Sequence, residues 1–487
     1  MRNFKIFQII SAFSKDEKKE FEYYIKSPYL TSSRDYTNML KTIYTFQSDS
    51  EKIQGIANEK FYAMVFPGKA YSNKTLRNRL NELTSLAKKF IVQKALESSK
   101  QQNDFLLLKG LKDRKLYGIF RNEYTRINES MGNDKTKSYN NAEIKMLSTY
   151  AYLENQDFSK TFEGYRDTTE YVITFFLENY FAYLIEFENE KQYGINTDKN
   201  IAYDLMHNLK ADNFIKVLED RNSDKYLLVI LYFYLYKSFH NLSDEVSFKK
   251  FRDLFFRNMN KLSYEHKDGF FGYMISRYFM IPHTENPNIL KEVFKLYDTK
   301  LKLGLHSELK VIRYPSTAFR DYVVVGLKLN KYKWVKDFIE KYSPELPAEI
   351  REEEMKMAYT RLYLFKKEYD SALQYLNELQ TSNYIYLLDA SRIKLRIFYE
   401  KSYFEEAFLE LDRVKHYIKN NTKKVALSVR KYSKEFIDVY NELLKLRLNP
   451  DKEGIDFLFN NIQKTNTLVA KDWFTEKIKE MKFGTKS

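Results

Sequence analysis

From residue 142 onward, apolar side chains recur at three- and four-residue intervals, in segments several helical turns long that are separated by short polar joints. Recurrence at i, i+3 and i+4 marks one face of a helix, whereas strict alternation marks a strand. Residues 159–176, 212–236, 246–263 and 288–304 all follow the helical pattern, and no alternating run is bounded as a strand would be. Nearer the start, Ser14 is followed three residues later by Glu17, a capping box that opens a helix. Pro28 ends it, because Ser27 is pushed out of the α region. A second helix is predicted over 34–44, and a third over 58–66 that stops at Pro67–Gly68.

The next helix opens at Ser72. Leu76, Leu80, Leu83, Ala87 and Phe90 form its apolar stripe, with Lys74, Arg77, Asn78, Asn81, Ser85 and Lys88 opposite. Residues 128–141 read as a polar link. The chain therefore divides into an N-terminal helical module over 1–100, a connecting helix and linker over 101–141, degenerate helical repeats over 142–312, and clearer repeats over 313–487.

Two stretches in the last region share one pattern: KEYDSALQYLNEL (367–379) and KSYFEEAFLELDRV (401–414). Each places one alanine, Ala372 or Ala407, shortly after an aromatic residue, Tyr369 or Phe404. A small residue belongs where two antiparallel helices cross closely, because a bulky one would wedge them apart. Tyr363 and Phe398, nine residues upstream, are placed to pack on these alanines. A weaker copy has Tyr332 at the turn, Val335 for the alanine and Pro347 at its end. A further unit over 433–463 and a closing helix over 470–482 carrying Trp473 complete the series.

This pattern resembles the tetratricopeptide repeat, a helix pair of about 34 residues. The family's small residue in the first helix is matched only by Thr360 and Leu395. The resemblance is clear over about 313–420 and faint before it. The whole chain is also similar to a group of bacterial helical-repeat proteins that share the KSPY, FPGKAYSNKTLRNRL and WVKDFIEKY-type stretches, a similarity that brings no activity with it. The resemblance implies an all-α fold, a right-handed α-solenoid of stacked antiparallel helix pairs. It also implies a concave groove lined by first-helix positions. Carried over, these are Thr317, Arg320, Val324, Leu327 and Lys328; Glu354, Met357, Arg361, Leu364 and Phe365; and Asp389, Arg392, Arg396, Tyr399 and Glu400.

Composition sharpens this picture. Pro (8) and Gly (13) are scarce in 487 residues, which predicts helices joined by short turns with few positive-φ positions. The 41 Tyr and 38 Phe predict an aromatic core. With no cysteine, disulfides, thiolate metal sites and a cysteine nucleophile are excluded. The N-terminus lacks the uninterrupted apolar region of a secretory signal. The apolar run at 226–236 is too short to span a bilayer, which takes about 20 residues. Glu178, Asn179 and Glu186 interrupt the run at 171–187, and both runs are predicted to be buried helices. A soluble, cytoplasmic protein without a membrane partner is expected.

Signs of catalysis are missing from the sequence. The glycines are isolated, with Gly269 and Gly272 the nearest pair, and no phosphate-loop motif occurs. The histidines at 207, 240, 266, 283, 306 and 416 never fall at the spacing of a helical zinc pair. No nucleophile elbow is present. We therefore expect no enzyme, no cofactor and no metal, but a scaffold or adaptor whose groove takes a protein or peptide partner. Four arginines and a lysine on one strip suit an acidic or carboxylate-ended peptide. Intrahelical pairing of Arg396 with Glu400 and of Asp389 with Arg392 is the competing account of the same charges. The other functional reading is a nucleic-acid- or ribosome-associated protein. Most of the formal net charge of +15 lies in residues 1–150, and Lys74, Arg77, Asn78, Asn81 and Lys88 would face DNA or RNA as the second helix of a helix-turn-helix resembling element.

Overall fold

The computed structural model describes residues 5–31, 34–47, 57–132, 139–191, 200–281, 287–310, 318–465 and 468–483. Among them every regular element is a helix. No helix among the described residues is long and apolar enough to cross a membrane. The chain forms two units, one from Met1–Leu184 and Lys199–Phe233, the other from Ile185–Asp198 and Tyr234–Ser487.

In the first unit the helix Asn73–Ser98 is the spine of the N-terminal module. Ser72 caps it, accepting from the Thr75 amide at 3.2 Å. Its Leu76, Leu80, Leu83 and Phe90 pack against Phe7, Ile10, Phe21, Leu40 and Phe61 of the shorter helices around it. The capping box at Ser14 forms in both directions: the Glu17 amide donates to Ser14 Oγ, and the Ser14 amide donates to the Glu17 carboxylate at 2.7 Å. Helices Lys100–Asp113, Tyr117–Gly132 and Tyr139–Glu154 then close around a small core of Leu108, Phe120, Ile127, Ile144 and Ala151. The middle of the polar link at 128–141 lies outside the described residues. The helix Phe158–Lys191 follows, with Ile201–Asn208 and Ala211–Asp220 after it.

The run at 171–187 departs from expectation. It is helical, but Val172, Ile173, Phe176 and Tyr183 are exposed, while Leu177, Phe181, Leu184 and Ile185 are buried. Hydrophobicity alone cannot say whether both faces of such a helix find a neighbour. The run at 226–236 is buried as expected.

In the second unit, helices Glu245–Asn258 and Tyr264–Met280 bury Phe248, Phe251, Phe255, Phe270 and Phe271. Arg277 is fully buried there. It donates to the carbonyls of Ser238 and Leu242 and to Glu245, and its guanidinium lies 4.0 Å from the Phe248 ring centroid. Helix pairs follow: Ala318–Lys328 with Tyr332–Tyr342, Ala348–Phe365 with Tyr369–Asn377, Tyr384–Glu400 with Phe404–Asn420, and Leu427–Leu448 with Lys452–Lys464. The helix Lys471–Phe483 closes the series.

Ala372 and Ala407 are completely buried at the crossings of their pairs. Tyr363 packs in the Ala372 core, and Phe398 in the Ala407 core. In the weaker copy the sizes are exchanged. Gly326 stands at the position of Tyr363, and a β-carbon there would meet Val335 Cγ2 at 2.6 Å. The close crossing is kept by moving the small residue to the other helix.

The turns within the helix pairs use positive φ without glycine. Asn330, Lys367 and Ser402 all sit at positive φ, between 56° and 61°. In each, the next amide reaches back to the first helix: Lys331 to Gly326, Glu368 to Tyr363, and Tyr403 to Phe398, at 2.8–2.9 Å. This is the Schellman ending, usually made with glycine. Here Asn, Lys and Ser make it, so glycine scarcity hid it.

Candidate functional site

The first helices of three successive pairs present their charged residues to one cavity of 470 Å³ in the second unit. Ala318–Lys328 contributes Arg320, Val324 and Lys328; Ala348–Phe365 contributes Arg361, Leu364 and Phe365; Tyr384–Glu400 contributes Asp389, Arg392, Ile393, Arg396 and Glu400. The segment from Leu468 to Trp473, with Glu476, forms the closing wall. Seven cationic side chains and four carboxylates line the cavity.

The cations are not equivalent. Asp389 accepts from Arg361 at 2.7 Å and pairs with Arg392 at 3.0 Å. Burial would raise its carboxyl, but Arg392, Arg361 and Arg320, with the hydrogen bond from Arg361, outweigh this and hold it below the usual carboxylate range. Arg361 still has Nη1 buried without a hydrogen-bond partner. Lys328 pairs with Asp472 at 3.6 Å.

Arg396 lies against the closing helix. Its guanidinium is 5.5 Å from the Trp473 ring centroid, and its buried Nε has no hydrogen-bond partner. Burial pulls its pKa down to about 10 against the opposing pull of Glu400. The Glu400 carboxylate accepts instead from Trp473 Nε1 at 2.7 Å and pairs with Lys477 at 3.1 Å. Of the two intrahelical pairings that the sequence offered, Asp389 with Arg392 forms, while Glu400 is engaged by the closing helix.

Four residues assigned to the groove are elsewhere. Leu327 and Met357 are fully buried, and Glu354 and Tyr399 nearly so. Met357 packs with Ala372, Tyr386, Ala390 and Ile393, because the next pair covers that side of its helix. Glu354 accepts from the Tyr386 hydroxyl at 2.6 Å. Tyr399 is covered by Tyr440 and Trp473, and burial pushes its hydroxyl up to about 12. Thr317 lies outside the described residues. The residues that the sequence reading missed are those of the closing wall, Lys471, Asp472, Trp473 and Glu476, which lie far along the chain from the groove pattern.

In the first unit, Lys74, Arg77, Asn78, Asn81 and Lys88 are all exposed on the side of Asn73–Ser98 away from Leu76, Leu80 and Leu83. The helix Asn58–Val65 precedes it and buries Phe61, Tyr62 and Val65.

Other titratable groups have structural partners. Lys300 is buried against Asp268 at 2.9 Å and Glu308 at 2.6 Å, and Glu308 also accepts from Tyr322. His266 stands at a helix start, its amide donating to Ser263 Oγ. Among the described residues no group of three or more His, Asp and Glu side chains stands close enough to hold a metal ion. Comparison with protein-family models, with curated proteins and with solved structures finds no match.

Proposed function

We propose that the chain is a non-catalytic scaffold or adaptor whose stacked helix pairs form a right-handed, tetratricopeptide-like solenoid with a peptide-binding concave face. Its partner is an acidic segment of another protein, seated in the cavity between Arg320, Arg361, Arg392 and Arg396. The observation that carries this reading is the surplus of guanidinium donors in residues that line a cavity: Arg396 Nε and Arg361 Nη1 are buried and lack hydrogen-bond partners. Buried donors left unmade cost about 1–3 kcal/mol each, and more when charged. An entering carboxylate relieves that cost through charge-assisted hydrogen bonds. The repeated turn geometry at Asn330, Lys367 and Ser402 supports stacking of like units.

Fluorescence anisotropy with labelled glutamate-rich peptides tests this. Binding should disappear in Arg396→Met and weaken in Arg320→Gln. Equal binding by both variants and the parent would refute the assignment.

A second reading rests on a separate observation. Lys74, Arg77, Asn78, Asn81 and Lys88 share one exposed helix face, in the third of the chain that carries most of the net positive charge. Such a face fits phosphate contacts, whose strength falls steeply with salt. Titration of a duplex DNA and a single-stranded RNA against Lys74→Glu/Arg77→Glu/Lys88→Glu at several salt concentrations checks it. Each lost contact should flatten the salt slope by about 1. Salt-independent or unchanged binding excludes this face.

A further inference from the structure

The helix Phe158–Lys191 is apolar on two sides. Its inner side is buried in the first unit through Leu177, Phe181 and Leu184. On its outer side Phe158, Phe162, Tyr165, Val172, Phe176 and Tyr183 are all exposed, the five aromatic rings by 43–63 %. A surface helix that buries one stripe ordinarily carries polar residues opposite. The helix Asn73–Ser98 of the same unit does so, with Lys74, Arg77 and Asn81 outward.

The outer residues are also spaced in a particular way. With Thr169 and Asn179 filling the two gaps, they follow one another in steps of four, three, four, three, four, three and four. That is a repeat of 3.5 residues, the a/d seam of a two-stranded coiled coil, and not the 3.6 of a lone straight helix. At 1.5 Å per residue the seam is about 38 Å long.

The area is right for a partner of similar size. Aromatic side chains present about 150–250 Å² each, so five half-exposed rings leave on the order of 500 Å². Phe214 and Val217 of the neighbouring helix, themselves 42 % and 48 % exposed, extend the patch. A groove of 690 Å³ between the two helices, floored by Leu177 and Leu218, lies beside the seam and can receive side chains from a partner. The sum approaches the roughly 800 Å² per partner of a stable interface.

The occupant must be a helix with the same repeat, and this chain supplies one. Asn179 points to the register. A polar residue inside an apolar seam costs stability and so limits the registers in which two helices pair. Parallel pairing of two copies brings Asn179 against Asn179. The charges beside the seam, Glu163 and Arg166, are of opposite sign, which does not favour an anionic lipid surface.

We propose that Phe158–Tyr183 is the seam of a parallel homodimer. Light scattering of the full chain should give twice the 58.7 kDa mass. Phe162→Glu with Phe176→Glu should give a monomer of unchanged helicity, since both side chains are exposed within one copy. The chain has no cysteine, so Asn179→Cys alone reports the register: mild oxidation should convert it to a disulfide-linked dimer. That variant keeps the test open even if the double glutamate variant does not fold. A monomer at all concentrations overturns the proposal, as does a dimer that the glutamates leave intact. A dimer in which Asn179→Cys does not cross-link overturns the parallel register.

Discussion

A β-carbon on Gly326 would stand 2.6 Å from Val335 Cγ2 and 3.3 Å from the Trp334 ring. These two residues are therefore a matched pair, small against large, where the following units have large against small: Tyr363 with Ala372 and Phe398 with Ala407.

The first prediction follows from that exchange. Gly326→Ala overpacks the crossing and should destabilise by about 1–3 kcal/mol, despite the gain in helix propensity. Val335→Ala alone leaves a void and should cost about 1–3 kcal/mol. The double variant should be more stable than the sum of the two predicts, by an amount well above the roughly 0.5 kcal/mol scatter of independent sites. Urea denaturation of the four proteins measures the coupling, and simple additivity would show that this contact does not set the helix spacing.

Ser402 offers a stabilising change. It holds φ at 58°, a conformation that costs an L-residue about 1–2 kcal/mol. Glycine adopts it freely but loses about 0.5–1 kcal/mol through its unfolded-state entropy. Ser402→Gly should therefore stabilise by about 0.5–1 kcal/mol. Lys367→Gly should gain as much while removing a cation from the cavity wall. A lowered denaturation midpoint for Ser402→Gly would mean that its side chain contributes more than the turn strain.

The helix pairs were legible where residue size carried the signal. Ala372 and Ala407 stand out among large neighbours, so their register could be read directly, as could the Ser14–Glu17 cap. Gly326 and Val335 were not recognised as a pair because the sizes are exchanged. The turns at Lys367 and Ser402 were hidden because neither residue type announces a left-handed conformation. Of the residues expected in the groove, Arg320, Lys328, Arg361, Phe365, Arg392 and Arg396 line the cavity. Met357 and Tyr399 do not, because a helix packed between two pairs also has a side facing the next pair. The closing helix over 470–482 was expected, but its place as a wall of the cavity was not, since no local pattern encodes which distant helix folds over a groove.

Asp389 should govern the acid limit of the second unit. Its pKa is held below the ordinary aspartate value of about 3.9. A depressed carboxylate contributes stability that is fully present above the unfolded pKa and is lost as pH falls through the folded one. Stability should therefore be flat from neutral pH down to about pH 4 on this account and decline below it. Asp389→Asn should remove that part of the decline. It should also cost up to about 3–5 kcal/mol at neutral pH, because Arg361 and Arg392 are left facing each other. Thermal melts from pH 7 to pH 3 compare the two proteins, and parallel profiles would show that Asp389 is not the controlling group.

Arg396 separates stability from binding. Burial pulls its pKa down to about 10, so the charged guanidinium is carried in the folded state at a cost, with Nε unpartnered. Replacing such a group with a hydrophobic side chain of similar length should stabilise the free protein, because it removes a buried unmade donor that costs about 1–3 kcal/mol. Arg396→Met should thus melt at a higher temperature than the parent and lose affinity for glutamate-rich peptides. Saturating peptide should narrow or reverse the difference, because it stabilises only the parent. Calorimetry with and without peptide reads both effects at once. An Arg396→Met variant that melts lower than the parent would show that the cation–π contact with Trp473 and the attraction of Glu400 outweigh desolvation, and that the guanidinium is a structural strut for the closing helix instead of an anchor for an incoming carboxylate.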